Sequence, residues 1–285
     1  VTVPVEARGV WRLLLDDSHD GAWNMAVDEA LLEACEEAPQ PPAPTLRLYS
    51  WRPAALSLGK SQPAEGAHDP GALRESGVDL VRRPTGGEAV LHEHERTYAV
   101  VAVPGVPPFA GGPVDTYRRI AEALVDGLAR LGADARAVEP VAATPRRRGA
   151  ICFERVGAWE IASSGRKLVG SSQFRRRRAF LQHGSMPLRM DARRLAAMTG
   201  APIDASRFTD LESAAGRPIE PAEIDRAISA GFEETFRVRL VPGRLTDAEA
   251  LRAAELRCWK YDSMAWTLSG RIGERERRWG PGPAR

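Results

Sequence analysis

The chain has 285 residues, 43% of them hydrophobic, which suffices for one large core, or one domain with an appendage, without disulfides or a structural metal. Forty Lys plus Arg against 38 Asp plus Glu leave a formal charge of +2, excluding a globally basic nucleic-acid coat and an acidic tail protein. The three cysteines, Cys35, Cys152 and Cys258, form no C-x-x-C pair, which argues against a secreted disulfide scaffold or a cysteine-built zinc site.

From Ala22 to Glu37, apolar residues from Trp23 to Cys35 recur every three and four positions, predicting an amphipathic helix with Asn24, Asp28, Glu29 and Glu33 on its solvent side. The Pro39–Pro44 stretch stops it. Thr45–Trp51 alternates as a strand, Arg52-Pro53 turns it, and Ala55–Gly59 begins another. Val78–Arg82 and Thr97–Val103 read as buried strands around a glycine-centred segment. Asp115–Leu131 carries a helical stripe from Tyr117 to Leu131. Trp159–Ala162 and Lys167–Ser171, joined by Ser163-Ser164-Gly165, predict a hairpin, and Phe180–Leu188 the next strand. After Pro218 the pattern is helical, Arg237–Val241 is a strand, and a last helix opens with the capping box Thr246-Asp247-Ala248-Glu249. The tail from Gly270 is polar. Strands grouped with segregated helices predict an α+β fold: mixed, largely antiparallel sheets flanked by helices. The domain expectation is a unit over 1–241 followed by a helical extension and polar tail over 242–285. No apolar run approaches a membrane span, since the longest, Tyr98–Val106, is broken by Pro104, and the first residues lack a signal pattern. The expected location is therefore the cytoplasm.

Four segments can carry chemistry. Arg82-Arg83-Pro84-Thr85-Gly86-Gly87 sets two permanently charged forks beside a glycine pair that lets backbone approach a ligand, or else is a tight turn with solvated arginines. Neither G-x-G-x-x-G nor a P-loop is present. Cys152 follows the run Arg146, Arg147, Arg148, whose charge would favour a thiolate; a cysteine between Ile and Phe is otherwise ordinary core filler. Cys35 and Cys258 take that bland reading. Lys167, leaving a hairpin turn, is a surface charge unless its strand turns it into a cleft with Cys152, where an ammonium would stabilise a thiolate or an oxyanion. His183, in Leu181-Gln182-His183-Gly184-Ser185, is a buried hydrogen-bonded histidine or an acid–base group.

The order of these pieces is more telling than any one of them. Asn24-Met25-Ala26-Val27-Asp28-Glu29-Ala30, the pair of strands through Trp51–Gln62, Arg82–His92, Gly165–Gln173, Leu181–Ser185 and Lys260-Tyr261-Asp262-Ser263-Met264-Ala265-Trp266 resemble the lipoate/biotin ligase and octanoyltransferase superfamily over roughly residues 10 to 268. The cysteine ahead of the lysine hairpin is similar to that of its LipM-type octanoyltransferases.

The resemblance implies the biotin/lipoate ligase catalytic fold. It also implies a two-step, cofactor-free reaction in lipoate biosynthesis, with no metal. Cys152 would accept octanoyl from octanoyl-acyl carrier protein and pass it to a lysine of a lipoyl-domain protein, such as the glycine cleavage H protein or a 2-oxoacid dehydrogenase E2. Lys167 matches the family's active-site lysine. Arg83, Thr85, Gly86, Gly87, His92, Ser171, His183 and Gly184 match the segments that hold the acyl group. The basic runs Arg146–Arg148 and Arg175–Arg178, in particular Arg146, Arg147, Arg148, Arg175 and Arg176, are expected to dock the acidic carrier, or else are solvated loops. RNA contact is a poorer reading because few aromatics interleave with the arginines. Glu88 and Lys60 depart from the family pattern and are expected to affect acyl preference, Glu88 by pairing with Arg82 or Arg83 or by narrowing the site. Three alternatives stay open: an ATP-dependent lipoate ligase, an octanoyl amidotransferase between lipoyl domains, and a silent acyl-carrier-binding module. Only about 45 residues follow Val241, which counts modestly against a ligase with an added C-terminal domain.

Overall fold

The structure is a computed structural model that describes residues 9–139 and 159–272. Strand β1 (Gly9–His19) leads into helix α1 (Gly21–Glu37), then β2 (Thr45–Trp51), β3 (Ala55–Leu58), α2 (Pro70–Glu75), β4 (Asp79–Arg82), β5 (Val90–His92), β6 (Glu95–Ala102), α3 (Pro113–Arg130) and β7 (Arg136–Ala137). The chain continues with β8 (Ile161–Ser163), β9 (Arg166–Arg175), β10 (Phe180–Pro187), α4 (Ala192–Thr199), α5 (Leu211–Ala215), α6 (Pro221–Phe236), β11 (Val238–Pro242), α7 (Asp247–Leu256) and α8 (Met264–Ser269). Eight strands form one sheet in the order β11-β1-β2-β6-β10-β9-β8-β7, and β4-β3-β5 form a second. The β11–β1, β1–β2 and β3–β4 ladders are parallel; the others are antiparallel. This is the mixed α+β architecture expected.

The large sheet is buried on both faces, and the two-residue strand period assigns its side chains to separate cores. Leu46, Leu48, Tyr98, Val100 and Phe180 point to the layer of α3 and α6, where they meet Trp11, Phe109, Phe232 and Phe236. Their neighbours Tyr49, Ala99, Val101 and Leu181 point the other way, to α1 and α7. The α1 helix thus lies between the sheet and α7 and has little solvent side. That corrects the amphipathic reading: Asn24 and Asp28 are fully buried and Glu29 nearly so.

The reason is Arg47. Placed mid-strand on the α1 face of β2, its guanidinium is fully buried and must be answered by α1. It donates to Asp28 Oδ1 at 2.8 Å, to Asn24 O at 3.1 Å and Oδ1 at 2.9 Å, and to Asp16 Oδ2 at 2.7 Å. Glu29 is answered from the other end of the chain: Lys260 donates to both its oxygens at 2.8 and 2.5 Å, and the Tyr261 hydroxyl reaches it at 2.5 Å.

The α7 capping box forms as read, Glu249 N donating to Thr246 Oγ1 at 3.2 Å and Thr246 N to Glu249 Oε2 at 2.8 Å. The chain then widens into a π-helical turn over Arg257–Tyr261. Cys258 lies there, exposed, so it is not core filler; Cys35 is buried, and burial raises its thiol to about 11. The short helices α2, α4 and α5 escape periodicity analysis because they carry too few turns. Each is started by an aspartate cap, Asp69, Asp191 or Asp210. No described helix is long and apolar enough to cross a membrane.

Removing one partner of a buried ion pair strands the other charge, at a cost of about 3–5 kcal/mol. Arg47→Met is expected to lower unfolding free energy by that order in urea titrations, whereas the exposed pair-breaking change Arg118→Ala should cost less than about 1 kcal/mol.

Candidate active site

A cleft of about 370 Å³, counting space open to solvent, lies where the two sheets meet. Met25, Tyr49, Trp51 and Val90 make its apolar lining; Ser57, Arg83 and His92 come from the smaller sheet and its exit loop, and Gly170–Ser172 with His183–Ser185 from β9 and β10. Gly184 is required by this crossing. A Cβ there would sit 2.7 Å from Gly170 O and 2.6 Å from Tyr98 Cε1. Beside the cleft, a Cβ on Gly59 would fall 1.8 Å from Gly87 O, so the loop after β3 and the glycine pair pack backbone to backbone.

Two carboxylate–histidine–hydroxyl chains flank the cleft. In the first, Asp28 Oδ2 faces His183 Nδ1 at 2.8 Å and His183 Nε2 faces Thr85 Oγ1 at 2.7 Å; the Tyr49 hydroxyl donates to the same carboxylate oxygen at 2.9 Å. Burial pushes the Asp28 carboxyl up, but His183 and Arg47 outweigh it and hold it below the usual range. Burial also pushes His183 down, more than Asp28 lifts it, with Arg83 and His92 adding to the depression. The imidazole is therefore neutral near pH 7. Since an ionised carboxylate only accepts, the hydrogen sits on Nδ1 and Nε2 accepts from Thr85. In the second chain, Glu95 Oε1 faces His92 Nδ1 at 2.9 Å and His92 Nε2 faces Ser57 Oγ at 2.8 Å. The His92 ring stacks on Trp51, centroids 3.9 Å apart.

The two arginines of the glycine segment part company. Arg82 turns away from the cleft and donates to the carbonyls of Gly59, Gln62, Trp266, Thr267 and Leu268, clasping α8 to the loop after β3. Arg83 lines the cleft and donates to Ser57, to Gly86 O at 2.7 Å and to Glu88 O at 2.7 Å. Arg83 thus meets Glu88 at its backbone carbonyl. Lys60 lies over the Phe174 ring at 4.2 Å, and burial, then the Lys260 charge, lower its ammonium pKa.

The structure therefore gathers Arg83, His92, Ser171, His183 and Gly184 at the cleft, with Thr85 behind His183 and Gly86 held by Arg83 and by Ser172 Oγ at 3.0 Å. Gly87 is exposed at φ 92°, a conformation that favours glycine. Lys167 is on β9, fully buried, its ammonium 2.6 Å from Glu160 Oε1. Cys152 and Arg146, Arg147 and Arg148 lie outside the described residues. Arg175 is spent on Gln173 and Thr116, Arg176 on Glu29 and Glu33, and Arg178 on Ala38 O; Arg177 is the exposed member of that run. Asp28, Ser57, Glu95 and Trp51 belong to the site without standing out in the sequence as site residues. Arg47 is the clue that points to Asp28, because a charge on the inward face of an alternating strand demands a buried partner.

Residues 20–233 match the model of the lipoyl protein ligase A/B catalytic domain. The chain belongs to that family. It is 40% identical over 270 residues to an octanoyltransferase LipM of Kyrpidia tusciae, covering 90% of this chain and 97% of that protein. Among solved structures it resembles lipoate-protein ligase A bound with ATP, with a TM-score of 0.80, 25% identity, and coverage of 92% of this chain and 99% of that one. It likewise resembles a bipartite lipoate protein ligase of Thermoplasma acidophilum, solved in a study of that enzyme and its E2 lipoyl domain, with a TM-score of 0.72, 25% identity, and coverage of 94% and 99%.

Two outcomes follow from the geometry. Gly59→Ala sets a methyl group against a backbone carbonyl, so it should displace the Gly87–Glu88 peptide and cost about 1–3 kcal/mol in urea titrations. A histidine held neutral by the fold contributes stability that is complete above its unfolded pKa of 6.5 and is lost as pH falls below it, while the unfolded chain takes up a proton the native one refuses. Wild type should therefore lose stability between pH 6.5 and 5 faster than His183→Gln does, as read from urea midpoints.

Proposed function

We infer that the chain is an octanoyltransferase of lipoate biosynthesis acting on lipoyl-domain proteins. The observation that carries this is the 40% identity to an octanoyltransferase LipM across nearly the whole of both chains. The cleft supports that reading, since it sets an apolar lining of Met25, Tyr49, Trp51 and Val90 beside the polar groups Arg83, His92 and His183.

The proposed route has two steps. The Cys152 thiolate attacks the thioester carbonyl of octanoyl-acyl carrier protein; the carrier thiolate leaves and is protonated, and octanoyl remains on sulfur. The ε-amine of the acceptor lysine, on the glycine cleavage H protein or an E2 lipoyl domain, then attacks that carbonyl. An amide forms, the amine loses a proton, and the cysteine sulfur leaves. The first exchange is near neutral and the second runs downhill, so no nucleotide, cofactor or metal enters. Lys167 is proposed to place a positive charge near the thiolate or the developing oxyanion, its ammonium steadied by Glu160. Docking of the acidic carrier is proposed for the basic runs Arg146, Arg147, Arg148 and Arg175, Arg176, of which the second also contains the exposed Arg177.

Incubation with octanoyl-acyl carrier protein in the absence of ATP should leave one octanoyl group on Cys152, read by intact-mass spectrometry and peptide mapping. Cys152→Ala should remain folded and lose transfer. Acylation that requires free octanoate and ATP would instead identify a ligase, and turnover retained by Cys152→Ala would remove the covalent route.

A further inference from the structure

The Arg83–Gly87 segment enters the cleft lining through Arg83, and its backbone is tied at several points. Arg83 N donates to Leu58 O at 3.0 Å and Lys60 N donates to Thr85 O at 2.8 Å. Gly86 O accepts from Arg83 at 2.7 Å and from Ser172 Oγ of β9 at 3.0 Å, and the tie to β10 is the side chain of Thr85. That hydroxyl is fully buried, and its partner is His183 Nε2.

We propose that Asp28 is a positioning residue for the acyl-transfer site, acting through His183 on the Thr85 hydroxyl to hold the glycine segment in its working shape. The inference rests on the acyltransferase reading of the cleft. The carboxylate can only accept, and it takes hydrogens from Arg47, Tyr49 and His183. His183 must then carry its hydrogen on Nδ1 and offer a lone pair at Nε2. Thr85 has a single hydroxyl hydrogen, and this lone pair claims it. The direction of the Thr85 hydroxyl is thereby set from α1 across β10, beside the peptide whose carbonyl Lys60 N holds at 2.8 Å.

The charged and titratable groups around His183 are Asp28 on α1, Arg47 and Tyr49 reaching that carboxylate from β2, Arg83 after β4, and His92 on β5. The cations and the second histidine oppose a proton on His183; Asp28 alone favours one. Protonation would put hydrogen on both ring nitrogens and turn Thr85 from donor to acceptor, leaving its buried hydroxyl hydrogen without its acceptor and weakening the tie to β10. Activity should accordingly fail on the acid side as His183 takes up its proton.

The experiment uses the full-length protein with an octanoyl-carrier donor and a lipoyl-domain acceptor. Asp28→Asn can present its amide NH₂ to Nδ1 and drive the hydrogen to Nε2, the wrong tautomer for Thr85. Misplacement of a reacting group by about 1 Å can cost on the order of 100-fold in rate. Asp28→Asn and Thr85→Val are each expected to lower kcat by about that order with KM little changed, and Thr85→Ser to restore most of it. The double variant should be no worse than the weaker single one, because both break one chain. The acid limb of the pH–rate profile should shift to lower pH in Asp28→Asn, where the one group favouring the proton is gone.

A second readout needs no turnover. Long-range ¹H–¹⁵N spectra should show the Nδ1–H tautomer for His183 in wild type, the other tautomer in Asp28→Asn, and a shifted Nε2 resonance in Thr85→Val. The proposal is overturned if Thr85→Val keeps wild-type kcat, if the two losses simply add, or if the tautomer and the acid limb are unmoved by Asp28→Asn. Wild type that shows the expected tautomer but transfers no acyl group would overturn the functional reading and leave the relay standing as a structural one.

Discussion

A single buried carboxylate organises this molecule. Asp28 sits on a helix sealed between sheet and helix, where an isolated charge would be intolerable, and it is kept ionised by Arg47, Tyr49 and His183. Each partner belongs to a different part of the fold: Arg47 and Tyr49 to the sheet centre, His183 to the strand that faces the cleft. The same group that satisfies a buried arginine therefore orients a histidine in the cleft. Stability and site geometry are coupled here through one pair of oxygen atoms.

The C-terminal segment joins in by the same kind of bond. Lys260 and Tyr261 close on Glu29, the residue after Asp28, while Arg82 gathers the carbonyls at the end of α8. The indole of Trp266 returns a hydrogen bond to Arg82 O at 3.0 Å. The Arg-Arg pair thus divides its labour: one guanidinium binds the C-terminal helix, and the neighbouring one lines the cleft. Alternation along an extended segment sends adjacent side chains to opposite sides, and that is enough to separate the two roles.

Much of the architecture is legible in the residues. Period-two alternation in Thr45–Trp51 and Phe180–Leu188, the hairpin turn at Ser164-Gly165, and the Thr246 capping box all report interactions between near neighbours, so each can be read locally. The glycine segment, His92 and His183 are recognisable as site residues for the same reason, as motifs whose content is local. The polar residues of α1 mislead because helical periodicity sorts residues by face without saying what covers the face. An aspartate opposite a leucine stripe looks solvated until Arg47 is found beside it. The run Arg175–Arg178 looks like a free basic patch for a matching reason: Glu33 and Ala38, which take Arg176 and Arg178, lie on α1 and at its end some 140 residues earlier, and Thr116, which takes Arg175, lies on α3.

By itself the sequence determined the family, the α+β class, most strand and helix positions, and which glycines and histidines would line a site, since these follow from side-chain type and short spacing. Tertiary structure decided which charges are buried together, which tautomer His183 adopts, which arginine meets the cleft and which of Arg175–Arg178 are bonded within the fold. Those choices depend on groups far apart in the chain being brought within about 3 Å in a medium that excludes water, where an unpaired charge or hydrogen-bonding group is too costly to leave. Only the completed packing of two sheets and their helices imposes that condition.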